Sequence, residues 1–112
     1  MAAGERLIRG VVATDPTFIK SLKRIKDPAR QAEITGALRR LLLLDLDAAP
    51  AKLHLHQLVN KAVACTLPPV RKVAPWTLHV TADDRYKASF TLEAGVAYMR
   101  LCDEHDVIDK NP

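Results

Sequence analysis

Aromatic side chains are scarce, at 4% of the 112 residues, and the chain has only four glycines and two cysteines. So few rings give no row of platforms on which single-stranded bases would stack, which argues against a binder of that kind. Cys65 and Cys102 are too few for a disulfide framework and form no C-x-x-C zinc spacing. The longest apolar run, Leu41–Leu44, falls far short of the roughly 20 residues of a membrane span. Met1-Ala2-Ala3-Gly4-Glu5-Arg6 has no apolar signal-peptide core. The expectation is a cytoplasmic protein with no membrane partner. A mass of 12.4 kDa also excludes an α/β barrel, which needs about 250 residues.

Apolar residues make up 48% and charged residues 27%, the composition of an ordinary globular domain. The sequence therefore reads as a single domain over 1–112. Its net charge is +4. The excess is modest, but it is unevenly placed: the N-terminal quarter and residues 52–87 are basic, whereas Asp103, Glu104, Asp106 and Asp109 make the end acidic. A basic stretch is the electrostatic footprint of a polyanionic partner, or simply a solvated face.

Two Asp-Pro pairs mark helix starts. Asp accepts hydrogen bonds from orphan first-turn amides, and proline is preset for the first helical position. Behind Asp15-Pro16, Phe18, Leu22 and Ile25 recur at helical spacing; behind Asp27-Pro28, Ile34, Leu38, Leu41 and Leu42 do the same. The second pair ends one helix and opens the next, giving an α-hairpin. Gly36 inside it suggests a close helix contact.

The remainder reads as strands. Leu7–Ala13 supplies an initial one. Leu53–Val59 alternates at its start, and 60–75, with Pro68-Pro69 and Pro75, reads as an extended loop whose apolar Val63, Leu67, Val70 and Val73 suggest a partner surface. Trp76, Leu78 and Val80 alternate with Thr77, His79 and Thr81. After a turn at Ala82-Asp83-Asp84, Tyr86, Ala88, Phe90 and Leu92 form the next apolar face. After Glu93-Ala94-Gly95, a last strand runs from Val96 to Leu101, with Ala97, Met99 and Leu101 inward. The expected fold is α+β: an N-terminal strand, then an α-hairpin packed on one face of a small antiparallel sheet of about four to five strands. Trp76 belongs to the core. The other sheet face is left uncovered, with His79, Arg85, Lys87, Ser89 and Arg100 on it and His54 or His56 nearby.

Certain segments carry a family likeness. Phe18-Ile19-Lys20-Ser21-Leu22-Lys23-Arg24 resembles the first-helix pattern of the RelE/ParE superfamily of small bacterial toxins, most closely its YafQ-like branch. Leu53-His54-Leu55-His56-Gln57-Leu58 is similar to its histidine element, with His56 in the histidine position. Trp76–Val80 with Asp84-Arg85-Tyr86 resembles its central strand and turn, and Arg100–Ile108 its terminal signature. The sequence departs from the family pattern at Asn60, at Pro75, in the Cys102-Asp103-Glu104 step and at Asp109. The resemblance implies a RelE-like toxin: an mRNA interferase that acts at the ribosome and is silenced by a cognate antitoxin. The ParE branch implies a non-catalytic alternative, a gyrase inhibitor or a diverged antitoxin-binding protein.

Cleavage of RNA by its own 2′-hydroxyl without a metal or other cofactor needs a base, an acid and cations for the developing phosphorane charge. Histidine suits the first two roles near neutral pH, and arginine the third. His56 and His105 are candidate base and acid, His79 a replacement for either, and Arg85 and Arg100 the stabilisers. Lys61, Arg71, Lys72 and Lys87 are candidate RNA contacts. Arg85 has a plainer role available, holding its own acidic turn. Cys102 and His105 are too poorly spaced to read as a nucleophile pair.

Overall fold

In the computed structural model, which describes residues 8–42, 44, 55–83 and 85–112 (His56 by its backbone only), both Asp-Pro pairs open helices. The Asp15 carboxylate accepts from the Thr17 and Phe18 amides at 2.8 and 3.3 Å and starts α1, Pro16–Lys23. Asp27 accepts from Ala29 at 3.0 Å and starts α2, Pro28–Leu41. Between them the Gln31 side-chain amide donates to the Ile25 carbonyl at 2.6 Å, closing the junction. Gly36 differs from expectation: a Cβ placed there would have nothing within 4 Å among the described residues, so no close helix contact there requires it.

The strands are β1 Gly10–Val12, β2 His56–Gln57, β3 Val63–Ala64, β4 Lys72–Val73, β5 Trp76–His79, β6 Tyr86–Glu93 and β7 Val96–Glu104. A six-residue helix, α3 His105–Lys110, follows directly. The main sheet has the order β1-β7-β6-β5-β2. It is mixed, not wholly antiparallel, because β1 runs parallel to β7. The molecule is thus α+β, as the residue patterns imply. Leu7, Leu53, His54 and Asp84, which belong to the expected strands and turn, lie outside the described residues. The β6–β7 hairpin turns on Ala94 and Gly95, both with positive φ, 52° and 80°. That is the conformation a two-residue hairpin demands.

One face of the sheet is apolar. Leu78, Ala88, Phe90 and Ala97 are fully buried there, together with Phe18, Ile34 and Leu41 from the two helices. Trp76 is in the core as expected, stacked on Phe90 with centroids 6.4 Å apart. Register along β7 departs from simple alternation. Phe90 lies opposite Met99 but Ser89 opposite Leu101, so Arg100 is an extra residue, a bulge. The bulge turns Cys102 inward where Leu101 was expected, and burial pushes its thiol pKa up to about 12, with the neighbouring Asp103 charge adding to the rise. Such a thiol is no nucleophile at neutral pH. The Cys102 amide donates to Ser21 Oγ of α1 at 3.0 Å, and that hydroxyl donates to the Phe18 carbonyl.

The second face is covered, contrary to expectation. Register places Thr77, Ser89 and Leu101 in one row across it and His79, Lys87 and Asp103 in the next. Thr77, Ser89 and Thr91 have no exposed surface, and Lys87 has 3%. The cover is the C-terminal segment: Ile108 is fully buried, and Ser89 Oγ donates to the Pro112 carbonyl at 2.7 Å. A single apolar anchor in the charged run Asp103–Lys110 gave no amphipathic signal.

The segment 60–75 also differs from an irregular loop. β3 and β4 form a two-stranded ribbon, Val63 opposite Val73, closed by the Cys65 amide to the Arg71 carbonyl at 2.8 Å. Glu93 ties the ribbon to the sheet, its carboxylate accepting from the Thr66 and Leu67 amides at 2.9 and 2.8 Å and from Thr91 Oγ1 at 2.6 Å. Burial works against this charge, but the hydrogen bonds from Thr91, Leu67 and Thr66 outweigh it and hold the Glu93 pKa below its ordinary value.

Candidate active site

The polar rows on the second face decide which chemistry-bearing groups meet. His79 ends β5 opposite Lys87. His105 opens α3 immediately after β7, and its amide donates to the Arg85 carbonyl at 2.8 Å, which fixes the start of the helix beside the start of β6. The two imidazoles therefore meet edge to face, with centroids 5.4 Å apart and planes at 73°.

Carboxylates surround His105. Its Nδ1 lies 3.2 Å from Asp109 Oδ2, one helical turn on, and 3.3 Å from Asp106 Oδ1. The other Asp109 oxygen is 2.8 Å from Lys87 Nζ. Lys87, expected as an RNA contact on an open face, is thus buried and committed to an internal ion pair.

Arg85 stands at the rim of this site, its side chain 57% exposed and 3.6 Å from Glu104. Its guanidinium lies over the Tyr86 ring at 5.7 Å, and Arg30 of α2 approaches the same ring at 5.2 Å. The plainer role for the turn is also present: Arg85 N–H donates to Asp83 at 3.2 Å, and Asp83 pairs with Arg30 at 2.8 Å. The hydrogen bond from Arg30, with those from Thr81 and the Arg85 amide, holds the Asp83 pKa far below the usual carboxylate range.

Arg100 is not with the histidines. From the β7 bulge its Nε donates to the Pro112 carbonyl and its Nη1 to the Ala64 carbonyl, each at 3.3 Å. Arg100 lines two clefts. One, of about 540 Å³, is lined by Thr14, Thr17, Thr66 and Tyr98; the other, of about 360 Å³, by Lys61, Lys110 and Pro112. Lys61 Nζ donates to the Lys110 carbonyl at 3.2 Å, while Arg71 and Lys72 are exposed on the ribbon. His56 is registered opposite Thr77 on the edge strand β2, one strand over from His79.

The site thus brings together His79 and His105, with Arg85 at its edge. Arg100 and Lys61 lie further along the C-terminal segment, whose Pro112 reaches Arg100 and whose Asp109 reaches Lys87. Asp109 stands in the sequence only as part of the acidic end and as a departure from the family pattern, not as a site residue, although a helix over 105–110 puts His105 and Asp109 at i and i+4, on one face. Among the described residues no three His, Cys, Asp or Glu side chains are grouped to hold a metal ion. Compared with known proteins, the chain matches no family model, no curated protein and no solved structure.

Proposed function

We propose that this chain is a toxin-like, metal-independent endoribonuclease of the RelE/ParE kind. It would cut mRNA, with the ribosome as the place of action and a cognate antitoxin as the neutralising partner. The single observation that carries the reading is the contact between His79 and His105, with 5.4 Å between ring centroids. Two adjacent imidazoles can hold complementary protonation states near neutral pH, one as base and one as acid. The base takes the 2′-hydroxyl proton, O2′ attacks phosphorus, the bond from phosphorus to O5′ breaks, and the acid protonates O5′. The products are a 2′,3′-cyclic phosphate and a 5′-hydroxyl. Arg85 is an exposed cation at the edge of the site, and Arg100 with Lys61 suits flanking phosphates.

The test is primer-extension mapping of cellular mRNA after induction. Wild type should arrest growth and create new 5′ ends. His105→Ala and His79→Ala should each lower their yield by roughly 100-fold while the protein stays folded, the usual scale of general acid–base catalysis. Undiminished cleavage in both variants would remove the histidines from the chemistry.

One observation favours a second reading, a non-catalytic interaction protein of the same fold acting on gyrase or an antitoxin. Asp106 and Asp109 lie against His105, with Asp103 and Glu104 just before it in the chain, and these carboxylates repel phosphate, while Val70, between the two ribbon strands, is 73% exposed. That reading expects arrest without new RNA ends, or no arrest.

A further inference from the structure

Lys87 is the only charged side chain among the described residues that is buried, and it is used to hold another group. Removing an ammonium from water is costly unless a counter-charge meets it. Asp109 supplies that charge through Oδ1 at 2.8 Å. The same carboxylate turns its second oxygen to His105 Nδ1 at 3.2 Å. Three side chains from two elements are thereby joined in series: ammonium, carboxylate, imidazole.

The arrangement has a direction. A carboxylate at Nδ1 keeps the proton of the neutral ring on that nitrogen and leaves Nε2 as the free acceptor. It also favours the imidazolium that forms once Nε2 has taken a proton. The ammonium keeps the carboxylate from swinging out to water. The other charged or titratable groups around His105 are Asp106 on α3, His79 on β5, Glu104 on β7 and Arg85. Asp106 also approaches Nδ1, at 3.3 Å, but its side chain is 93% exposed and water screens it. Asp109, at 38%, is the better shielded of the two.

Resting on the nuclease reading above, we propose that Asp109 is a positioning residue for His105, locked by Lys87 so that the imidazole offers Nε2 to the RNA.

The test begins on the unmodified protein. Nitrogen-15 NMR of the histidine rings should find neutral His105 protonated at Nδ1; a proton on Nε2 overturns the proposal without any variant. In folded variants, Asp109→Asn should move the His105 tautomer balance toward the Nε2-protonated ring, because the carboxylate at Nδ1 has left. Lys87→Met should move it the same way by less, because the carboxylate is no longer held against the ring. Asp106→Asn should shift it less than Asp109→Asn, and Asp109→Glu should recover part of the wild-type value. RNA cleavage by Asp109→Asn should fall roughly tenfold or more, with an altered pH profile. A larger shift in Asp106→Asn, or none in Lys87→Met, overturns the proposal. So does full cleavage by Asp109→Asn with an unmoved pH profile, which leaves the nuclease reading intact. A wild type with the expected tautomer and shifts that cuts no RNA overturns the nuclease reading and the catalytic use of Asp109 with it.

Discussion

The two faces of the central sheet are covered by different physics. Beneath α1 and α2, side chains such as Phe18, Ile34, Leu78 and Phe90 remove apolar area from water, a non-directional contribution of about 25 cal/mol per Å². Beneath α3 and the ribbon, the sheet presents Thr77, Lys87, Ser89 and Thr91, all buried, with Ile108 as the apolar anchor of α3. That cover is held by directed bonds: Lys87 to Asp109, Ser89 to Pro112, Glu93 to the ribbon amides, Arg100 to Ala64 and Pro112. A polar interface is less certain to repay its desolvation than an apolar one, and Thr77 Oγ1 is buried there without a partner among the described residues. The apolar face sets whether the chain folds. The polar face sets where the histidines stand.

The largest expected effect tests the first half of that division. Phe90 is a fully buried ring stacked on Trp76. Phe90→Ala should cost about 3–5 kcal/mol in denaturant unfolding, lowering stability of the whole molecule. Ile108→Ala should cost less globally, about 2 kcal/mol, at the low end for such a truncation. The reason is that a six-residue helix can detach from the sheet before the rest unfolds. Its signature is local. Amides of 105–111 should lose hydrogen-exchange protection and the His79–His105 contact should disappear from NOE spectra, while those of α1 and β6 stay protected. Loss of protection throughout the molecule would show that the two covers are one cooperative unit.

Acid should separate the faces next. The Glu93 pKa is depressed in the folded state, so its contribution is present above the ordinary value of 4.5 and is lost as pH falls through the lower, folded one. Protonation leaves the Thr66 and Leu67 amides with a weaker acceptor. As pH falls below 4.5 and through the lower, folded pKa, the ribbon amides should exchange faster than those of β6 and β7, and Glu93→Gln should exchange fast at neutral pH and show less further change on acidification. Equal acid sensitivity of ribbon and core amides would place the weak point elsewhere.

How much of this was legible follows the same division. The helix starts were readable because Asp15-Pro16 and Asp27-Pro28 act locally, through a carboxylate and the amides two or three residues on. The core strands were readable because apolar side chains alternate along β5 and β6. The β7 bulge was not: one extra residue at Arg100 reverses inside and outside beyond it, and nothing in the run Val96–Glu104 announces the step. The polar cover was hidden for a related reason. Lys87 and Ser89 look like outward residues, and only the return of Asp109 and Pro112 from far along the chain makes them inward ones. Of the site, His79 and His105 were named from residue type and position. Asp109 was not, since its part depends on a six-residue helix too short to show a periodic apolar face.

The smallest effect concerns a residue on the apolar side that its surroundings do not need. Gly36 lies within α2, and a Cβ there meets nothing within 4 Å among the described residues. Alanine would lower the entropy of the unfolded chain and improve helix propensity without displacing a neighbour, so Gly36→Ala should stabilise by roughly 0.5–1 kcal/mol. The gain should appear as a higher denaturant midpoint at unchanged slope. It should leave the His105 tautomer balance and the exchange of ribbon amides where they were, since the bonds placing both are made on the opposite face. A stabilised α2 that also shifted His105 would mean that the packing of the apolar cover reaches through the sheet, and the two faces would have to be treated as one.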